Sequence, residues 1–373
     1  MAKVISGRAK AQSRPQLAVG YEGGIVVAAV PLPEKALIAQ IRGMAGTRGR
    51  GKARKSARPT RSARPTRKDR PTRGVITGIG DDCAVIGLLP GHEFLVTTDF
   101  SLEGIHFRRN WHPPESVGHR CLARGLSDIA AMGGQPLAAF LSLALPRDLP
   151  QTWIKRFIRG LIGLGERFGV TLAGGDTAES PDGILADISV VGAAPKRKSV
   201  LRSGARPGDR IYVSGKLGGS AAAVLQMKTK PNKTLNPRDY ARHFYPEPQI
   251  ELGRILREKG LASAMIDTSD GLSTDLAHLC DESGVGAELE SDLIPRASVG
   301  KPAREVDLDL ALHGGEDYEL LFTVRPGKPM PSHIAGVALT HIGSITRSRG
   351  LFVRDGKGAR RKLKPQGWEH FQR

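Results

Sequence analysis

Aromatic residues make up only 5% of the 373-residue chain, and there are three cysteines, Cys83, Cys121 and Cys280. These cysteines are far apart, odd in number and without His or Cys neighbours at metal-ligand spacing. Neither a disulfide framework nor a zinc site is expected, and a reducing cytoplasm is the expected compartment. No window approaches the roughly 18 uncharged apolar residues of a membrane span. The apolar run at 24–33 is short, and no signal-peptide cleavage pattern follows it. Gly-x-Ser-x-Gly, His-Glu-x-x-His and a dinucleotide fingerprint after a strand are also missing, so the hydrolase, zinc-protease and dinucleotide-binding classes lose their main sequence support. What is present is 39% hydrophobic residues and 46 glycines. That composition predicts an α/β body with many tight turns, and the length suffices for two domains.

Net charge is +19, but it is unevenly placed. Residues 1–73 hold 18 Lys and Arg against three Asp and Glu, whereas residues 74–373 hold 38 against 34. The basic character therefore belongs to an N-terminal arm. Within 42–73 there are 13 Lys and Arg, one acid (Asp69), and Arg-Pro-Thr-Arg repeated at 58–61, 64–67 and 70–73. Such a stretch repels itself and has no apolar surface to bury, which predicts a disordered tether. It could touch a polyanion, but no aromatic residue interleaves with the arginines to stack on bases. A short helix near 34–42, with Leu37, Ile38 and Ile41 on one face, precedes it.

The chemistry begins at Gly78-Ile79-Gly80-Asp81-Asp82. Adjacent carboxylates repel, and the apolar run after them adds a desolvation cost that a bound cation would offset. Similar acids beside small residues recur at Thr97-Thr98-Asp99, Ser127-Asp128, Gly174-Gly175-Asp176, Asp267-Thr268-Ser269-Asp270-Gly271 and Gly314-Gly315-Glu316-Asp317. Any one of these reads as readily as a helix cap or turn. Together they point to one site, with hard oxygen ligands for Mg²⁺ and backbone N–H groups for phosphate.

Periodicity places these acids on elements. A strand at 94–98 should deliver Asp99 at its end, and a helix at 116–132 carries Asp128 in or beside its apolar side. Strands at 137–145, 170–173 and 184–194 follow. The basic turn Lys196-Arg197-Lys198 marks the expected boundary between domains 74–197 and 198–373. Beyond it come a helix at 250–258, a strand at 264–266, a helix at 272–283 and a strand at 320–324. The 214–220 loop has Lys216 before its paired glycines, so it reads as a strand-to-helix turn rather than a phosphate loop. His106 and Trp368 read from the residues alone as surface or core positions as readily as ligand contacts.

Seven segments, at 78–84, 97–99, 126–133, 174–177, 202–209, 267–272 and 314–320, stand in order, and together they resemble the thiamine-monophosphate kinase family. That family is related to aminoimidazole ribonucleotide synthetase. The similarity spans about residues 74–371 and takes in the helix at 34–42. It implies an α/β (α+β) fold with two domains, an N-terminal mixed sheet with helices and a C-terminal α/β domain. It also implies ATP-dependent phosphorylation of thiamine monophosphate to thiamine diphosphate by direct in-line transfer, with several Mg²⁺ ions and no catalytic side chain. The implied metal ligands are Asp82, Thr97, Thr98, Asp99, Asp128, Asp176, Asp267 and Asp270, with Asp81 a structural neighbour. ATP would meet Gly175, Asp176, Arg202 and Ser269, and thiamine monophosphate would meet His106, Glu316 and Trp368. A homodimer through the N-terminal sheet is implied as well. The chain departs from the family in its basic 42–73 segment. Two alternatives weigh less. Relatives that make selenophosphate or mature hydrogenase should carry a reactive Cys near one terminus, and none stands there. A nucleic-acid-tethered protein with a dead kinase body would have no use for intact aspartates.

Overall fold

The computed structural model describes residues 34–46, 74–77, 85–230 and 234–368. The basic repeat and the 78–84 loop with Asp82 lie outside these described residues. The first half runs α1 (Glu34–Gly46), β1 (Gly74–Thr77), β2 (Val85–Gly87), β3 (His92–Leu102), α2 (Pro114–Ala131), β4 (Gln135–Pro146), α3 (Gln151–Phe168), β5 (Thr171–Ser180) and β6 (Leu185–Pro195). Four strands form a mixed sheet in the order β3-β6-β4-β5, with only β4 and β5 parallel.

The second half begins with β7 (Arg210–Ser214), α4 (Gly219–Thr229), α5 (Ala241–Phe244), α6 (Ile250–Glu258), β8 (Ala262–Asp267) and α7 (Leu272–Ser283). It continues with β9 (Gly286–Glu290), β10 (Ser298–Val299), β11 (Arg304–Glu305), α8 (Leu308–His313) and β12 (Leu320–Val324). The hairpin β13 (His333–Ile334) and β14 (Val337–Thr346), then β15 (Gly350–Arg354) and β16 (Arg360–Lys362), close the chain. Its main sheet has the order β16-β15-β9-β14-β7-β12-β8, antiparallel except where β15 meets β9. The chain is thus a two-domain α/β protein.

Helix α2 joins the halves. Of its 18 residues, only Glu115, Arg124 and Asp128 are not fully buried. Against α3 the contact is backbone on backbone: a Cβ on Gly118 would meet Phe157 O at 1.9 Å, and one on Gly160 would meet Glu115 O at 2.0 Å. On its other side, Gly253 of α6 leaves no room for a Cβ against Ala130 O. One core therefore contains Leu126 and Ile129 of α2 together with Leu256, Met265 and Phe322 of the second half. Each such side chain contributes roughly 1.5–3 kcal/mol by leaving water. A helix enclosed on nearly all sides must pair its polar groups within the protein or present them to a cleft, and Arg124 and Asp128 line the opening.

Two strands outrun the sequence pattern. β3 continues through Asp99 to Leu102, because β6 pairs with it at all 11 positions. β5 likewise continues through Gly174-Gly175-Asp176 to Ser180 alongside β4. Asp99 and Asp176 consequently stand within strands rather than at strand ends. Gly175 is required where it is: its φ is +146°, and a Cβ would lie 1.8 Å from Leu141 O.

Candidate active site

A cleft of about 810 Å³ opens between the halves at the exposed side of α2, a size suited to a small organic ligand. One end is acidic. Asp99 from β3, Asp128 from α2, Asp267 from the end of β8 and Asp270 from the following turn all line it, with Arg202 and Ser269 beside them. Thr97 Oγ1 donates to Asp128 Oδ2, and Ser127 Oγ donates to Asp267 Oδ2 at 2.6 Å. Burial, then the neighbouring Asp128, pushes Asp99 up to about 7, with Arg124 opposing. Asp267 is pushed up to about 7 by burial and then Asp128, against the pull of Ser127 and Arg202. Asp128 is itself raised by burial. Below this end, Asp275 accepts from the N–H groups of Asp270 (3.2 Å) and Gly271 (2.9 Å) and shapes the turn that presents Ser269 and Asp270.

Buried carboxylates that repel one another, with oxygen donors around them, suit a hard cation such as Mg²⁺. Among the described residues, no three His, Cys, Asp or Glu side chains converge at metal-ligating distance. The fit therefore rests on donor chemistry and electrostatics.

Not every expected ligand faces this cleft. β3 residues 94, 96, 98 and 100 share one sheet face, so Thr98 lies with the exposed Phe94, Val96 and Phe100. Register sets Asp176 in a row with Ser142 and Asp187 on that same face. Thr98 Oγ1 donates to Asp187 at 2.7 Å, and Asp176 accepts from Thr177 N–H at 2.8 Å. Gly175 is exposed on the same strand as Asp176.

Glu316 also lines the cleft. It sits in a turn built by close approach: a Cβ on Gly315 would lie 2.5 Å from Ser269 O, and one on Gly314 would lie 2.4 Å from Ala221 Cβ. Glu316 and Tyr318 both adopt left-handed backbone, at φ +64° and +52°. Non-glycine residues hold that conformation only when their surroundings enforce it. Part of the enforcement is Asp317, whose carboxylate accepts from Gly218 N–H (2.6 Å) and Ser220 N–H (3.3 Å) at the start of α4. Arg120 Nη2 donates to Glu316 Oε2 at 2.8 Å, and Arg124 Nη2 donates to Oε1 at 2.5 Å. Burial alone would raise Glu316, but the two guanidinium groups hold it well below the usual carboxylate range.

His106 lines the cleft and accepts from Leu102 N–H at Nδ1, 3.0 Å away, so its neutral ring carries the proton on Nε2. Trp368, half-exposed at the cleft wall, is fixed through its own N–H to Asp270 O (3.1 Å) and through Gly367 N–H to Thr274 Oγ1 (2.9 Å).

A buried histidine pair backs this arrangement. Arg120 Nη1 can only donate, so His243 Nδ1, 3.0 Å away, accepts, and the His243 proton sits on Nε2. That proton is given to His112 Nε2 at 2.9 Å, which leaves the His112 proton on Nδ1, 3.2 Å from Arg108 O. Burial, then the Arg120 charge, lowers both imidazoles, His112 to about 4. The pair ties the start of α2 to α5.

Sequence reasoning did not single out Arg120, Arg124, His112, His243 or Asp187. Arg120, Arg124 and Asp128 recur every four residues along a mostly buried helix, and this charged stripe was the readable signal. Asp187 carries no local signal. Only cross-strand pairing brings it to Thr98.

Fold and cleft define a class. The AIR synthase related protein N-terminal domain model matches residues 80–194, and the corresponding C-terminal domain model matches residues 206–355. Thiamine-monophosphate kinase of Salmonella typhimurium is 38% identical over 310 residues, covering 80% of this chain and 92% of that protein. The crystal structure of thiamine-monophosphate kinase from Stenotrophomonas maltophilia superposes with a TM-score of 0.70 at 31% identity, covering 87% and 97% of the two chains. AaThiL complexed with AMPPCP and TMP gives a TM-score of 0.67 at 33% identity, covering 76% and 89%. The chain belongs to the thiamine-monophosphate kinase family.

Proposed function

We propose that this protein transfers the γ-phosphoryl group of ATP to the phosphate of thiamine monophosphate, giving ADP and thiamine diphosphate. The observation that carries the reading is the clustering of Asp99, Asp128, Asp267 and Asp270 beside Arg202 and Ser269 at one end of a cleft. His106, Glu316 and Trp368 line the same cleft. AaThiL, a structural relative, is complexed with AMPPCP and TMP.

The attacking group is already an anionic phosphate oxygen, so the reaction needs no strong general base. What it needs is a way for two polyanions to approach each other. Asp99, Asp128, Asp267 and Asp270, with Thr97 orienting Asp128, would hold Mg²⁺, and Asp82, Thr98 and Asp176 are assigned to the same role by family resemblance. Bound Mg²⁺ supplies charge neutralisation of the phosphates. Arg202 and Ser269 would receive the nucleotide in the cleft, and Gly175 and Asp176, which do not line it, are assigned to the nucleotide by family resemblance alone. His106, Glu316 and Trp368 would receive the acceptor, with Arg120 and Arg124 fixing the Glu316 carboxylate. The positive excess of that ion triad favours a phosphate nearby. Transfer is in line and direct, without a phosphorylated side chain. Incubation with ATP, Mg²⁺ and thiamine monophosphate should yield equal amounts of ADP and thiamine diphosphate. Absence of thiamine diphosphate, or stoichiometric labelling of the protein by γ-labelled ATP alone, would refute this mechanism.

Assembly as a homodimer through the N-terminal sheet is supported by Phe94, Val96 and Phe100, which are 50%, 71% and 56% exposed on one face. An apolar strand face of this kind is a normal subunit contact. The basic 42–73 segment would add only nonspecific polyanion contact. No helix among the described residues is long and apolar enough to cross a membrane. Buried free thiols at Cys121 and Cys280 fit a reducing compartment, the cytoplasm.

A further inference from the structure

A buried guanidinium keeps its charge, so it must find its acceptors within the protein. Arg120 is such a group, with its side chain 4% exposed. Its Nη2 donates to Glu316 Oε2 at 2.8 Å and to the backbone O of His106 at 3.3 Å. One side chain thus ties together two segments that would face the acceptor. Its Nη1 donates to the backbone O of His243 at 2.6 Å and to the ring Nδ1 of the same residue at 3.0 Å. His243 is itself buried, and Ser220 Oγ lies 2.8 Å from the same Nδ1. Two donors converge on one lone pair, so the ring can serve them only with Nδ1 unprotonated.

His112 enforces that form. Its Nε2 accepts the proton that His243 carries on Nε2, 2.9 Å away, and its own proton sits on Nδ1 toward Arg108 O. A circuit then closes through the backbone, because Ser220 N–H donates to Asp317, the residue after Glu316, at 3.3 Å. The Glu316 carboxylate and the turn that carries it are both tied back to one imidazole. We propose that His243 is a positioning residue for the transfer reaction: with its tautomer set by His112, it fixes Arg120, and Arg120 aligns Glu316 and the His106 backbone for the acceptor. This inference rests on the reading of the chain as a thiamine-monophosphate kinase.

Two amides separate the roles of the ring nitrogens. His243→Asn places a carbonyl oxygen close to the position of Nδ1 and can still accept from Arg120. His243→Gln reaches the position of Nε2 instead and leaves the donors at Nδ1 unmet. In the full chain, His243→Gln should raise KM for thiamine monophosphate about tenfold with KM for ATP within about twofold, and His243→Asn should bring the first constant back to within about threefold of the parent. Added to Glu316→Gln, His243→Gln should cost less than about twofold more, because the carboxylate through which it acts is already gone. Nitrogen NMR of the labelled parent should find His243 protonated on Nε2 and His112 on Nδ1. Equal losses in the Asn and Gln variants, a parent-like KM in His243→Gln, or a full further loss in the Glu316→Gln background would overturn the proposal. So would either ring carrying its proton on the other nitrogen, a result read on the parent and therefore decisive even if His243→Gln does not fold. A parent that forms no thiamine diphosphate overturns the kinase reading instead, and is seen before any variant is made.

Discussion

If the acidic end of the cleft is held together for cations, removing one of its charges should stabilise the metal-free protein. Asp267 is the sharpest case, since it is 2% exposed and pushed up to about 7 from 3.8 by burial and Asp128. The sign follows from proton binding. A carboxyl raised above its unfolded value contributes stability that is present below about pH 3.8 and is lost as pH rises through about 7. At pH 8, ionising Asp267 in the empty cleft costs at most about 4 kcal/mol by that linkage. Asp267→Asn removes the charge and still accepts from Ser127 Oγ, but its amide group introduces buried N–H donors worth about 1–3 kcal/mol if unpaired. The net expectation is a gain of about 1–3 kcal/mol for the chelator-treated variant, a rise of several degrees in Tm for a chain of this size. Thermal unfolding at pH 8, with chelator and then with Mg²⁺ and a nonhydrolysable ATP analogue, reads both halves of the argument. The parent should gain stability from ligand, and the variant should gain much less. A chelator-treated variant less stable than the parent would refute the reasoning, because the carboxylate would then be a stabilising group in the empty fold.

The histidine pair carries the opposite sign. His112 is held at about 4 against 6.5 in the unfolded chain, so it contributes about 3 kcal/mol above pH 6.5 that is lost as pH falls toward 4. Urea midpoints of parent and His112→Asn should converge over that window, and a constant difference between them would contradict the neutral pair. Phe100→Asp on the exposed sheet face should convert a dimer to a monomer in sedimentation, and a parent that is already monomeric removes that proposal. Deleting residues 42–73 should leave turnover within about twofold while weakening retention on a polyanion resin. Loss of turnover in the folded deletion protein would mean that the arm belongs to the machinery.

Much of this was legible in the chain, for identifiable reasons. α7 and β12 fall where period and flanking glycines place them, because Leu272, Leu276, Leu279 and Cys280 keep helical spacing into one core. α2 was readable from its apolar side and its glycine stop, and Asp128 was readable as an acid that such a helix would not tolerate without a purpose. The ends of β3 and β5 were not readable, since eleven cross-strand pairs with β6 carry β3 past the polar residues that would otherwise end it. The partners of Glu316 escaped for a similar reason. Arg120 and Arg124 precede it by nearly two hundred residues, and only the docking of the 314–318 turn onto α2 brings the charges together. The acids could be listed from motifs, but which face of the sheet each one occupies is a matter of register. Thr98 and Asp176 show this, standing on the face opposite Asp99.

One measurement tests the central claim most directly. Parent and Asp99→Ala proteins, each shown to be folded by circular dichroism, are given ATP, Mg²⁺ and thiamine monophosphate, and thiamine diphosphate is followed by chromatography. If Asp99 helps to hold the cation that neutralises the two phosphates, its loss should lower turnover by at least about a hundredfold. Rapid product formation by the parent and near-silence from Asp99→Ala is the expected result. Equal rates in the two proteins, or no thiamine diphosphate from either, would contradict the account.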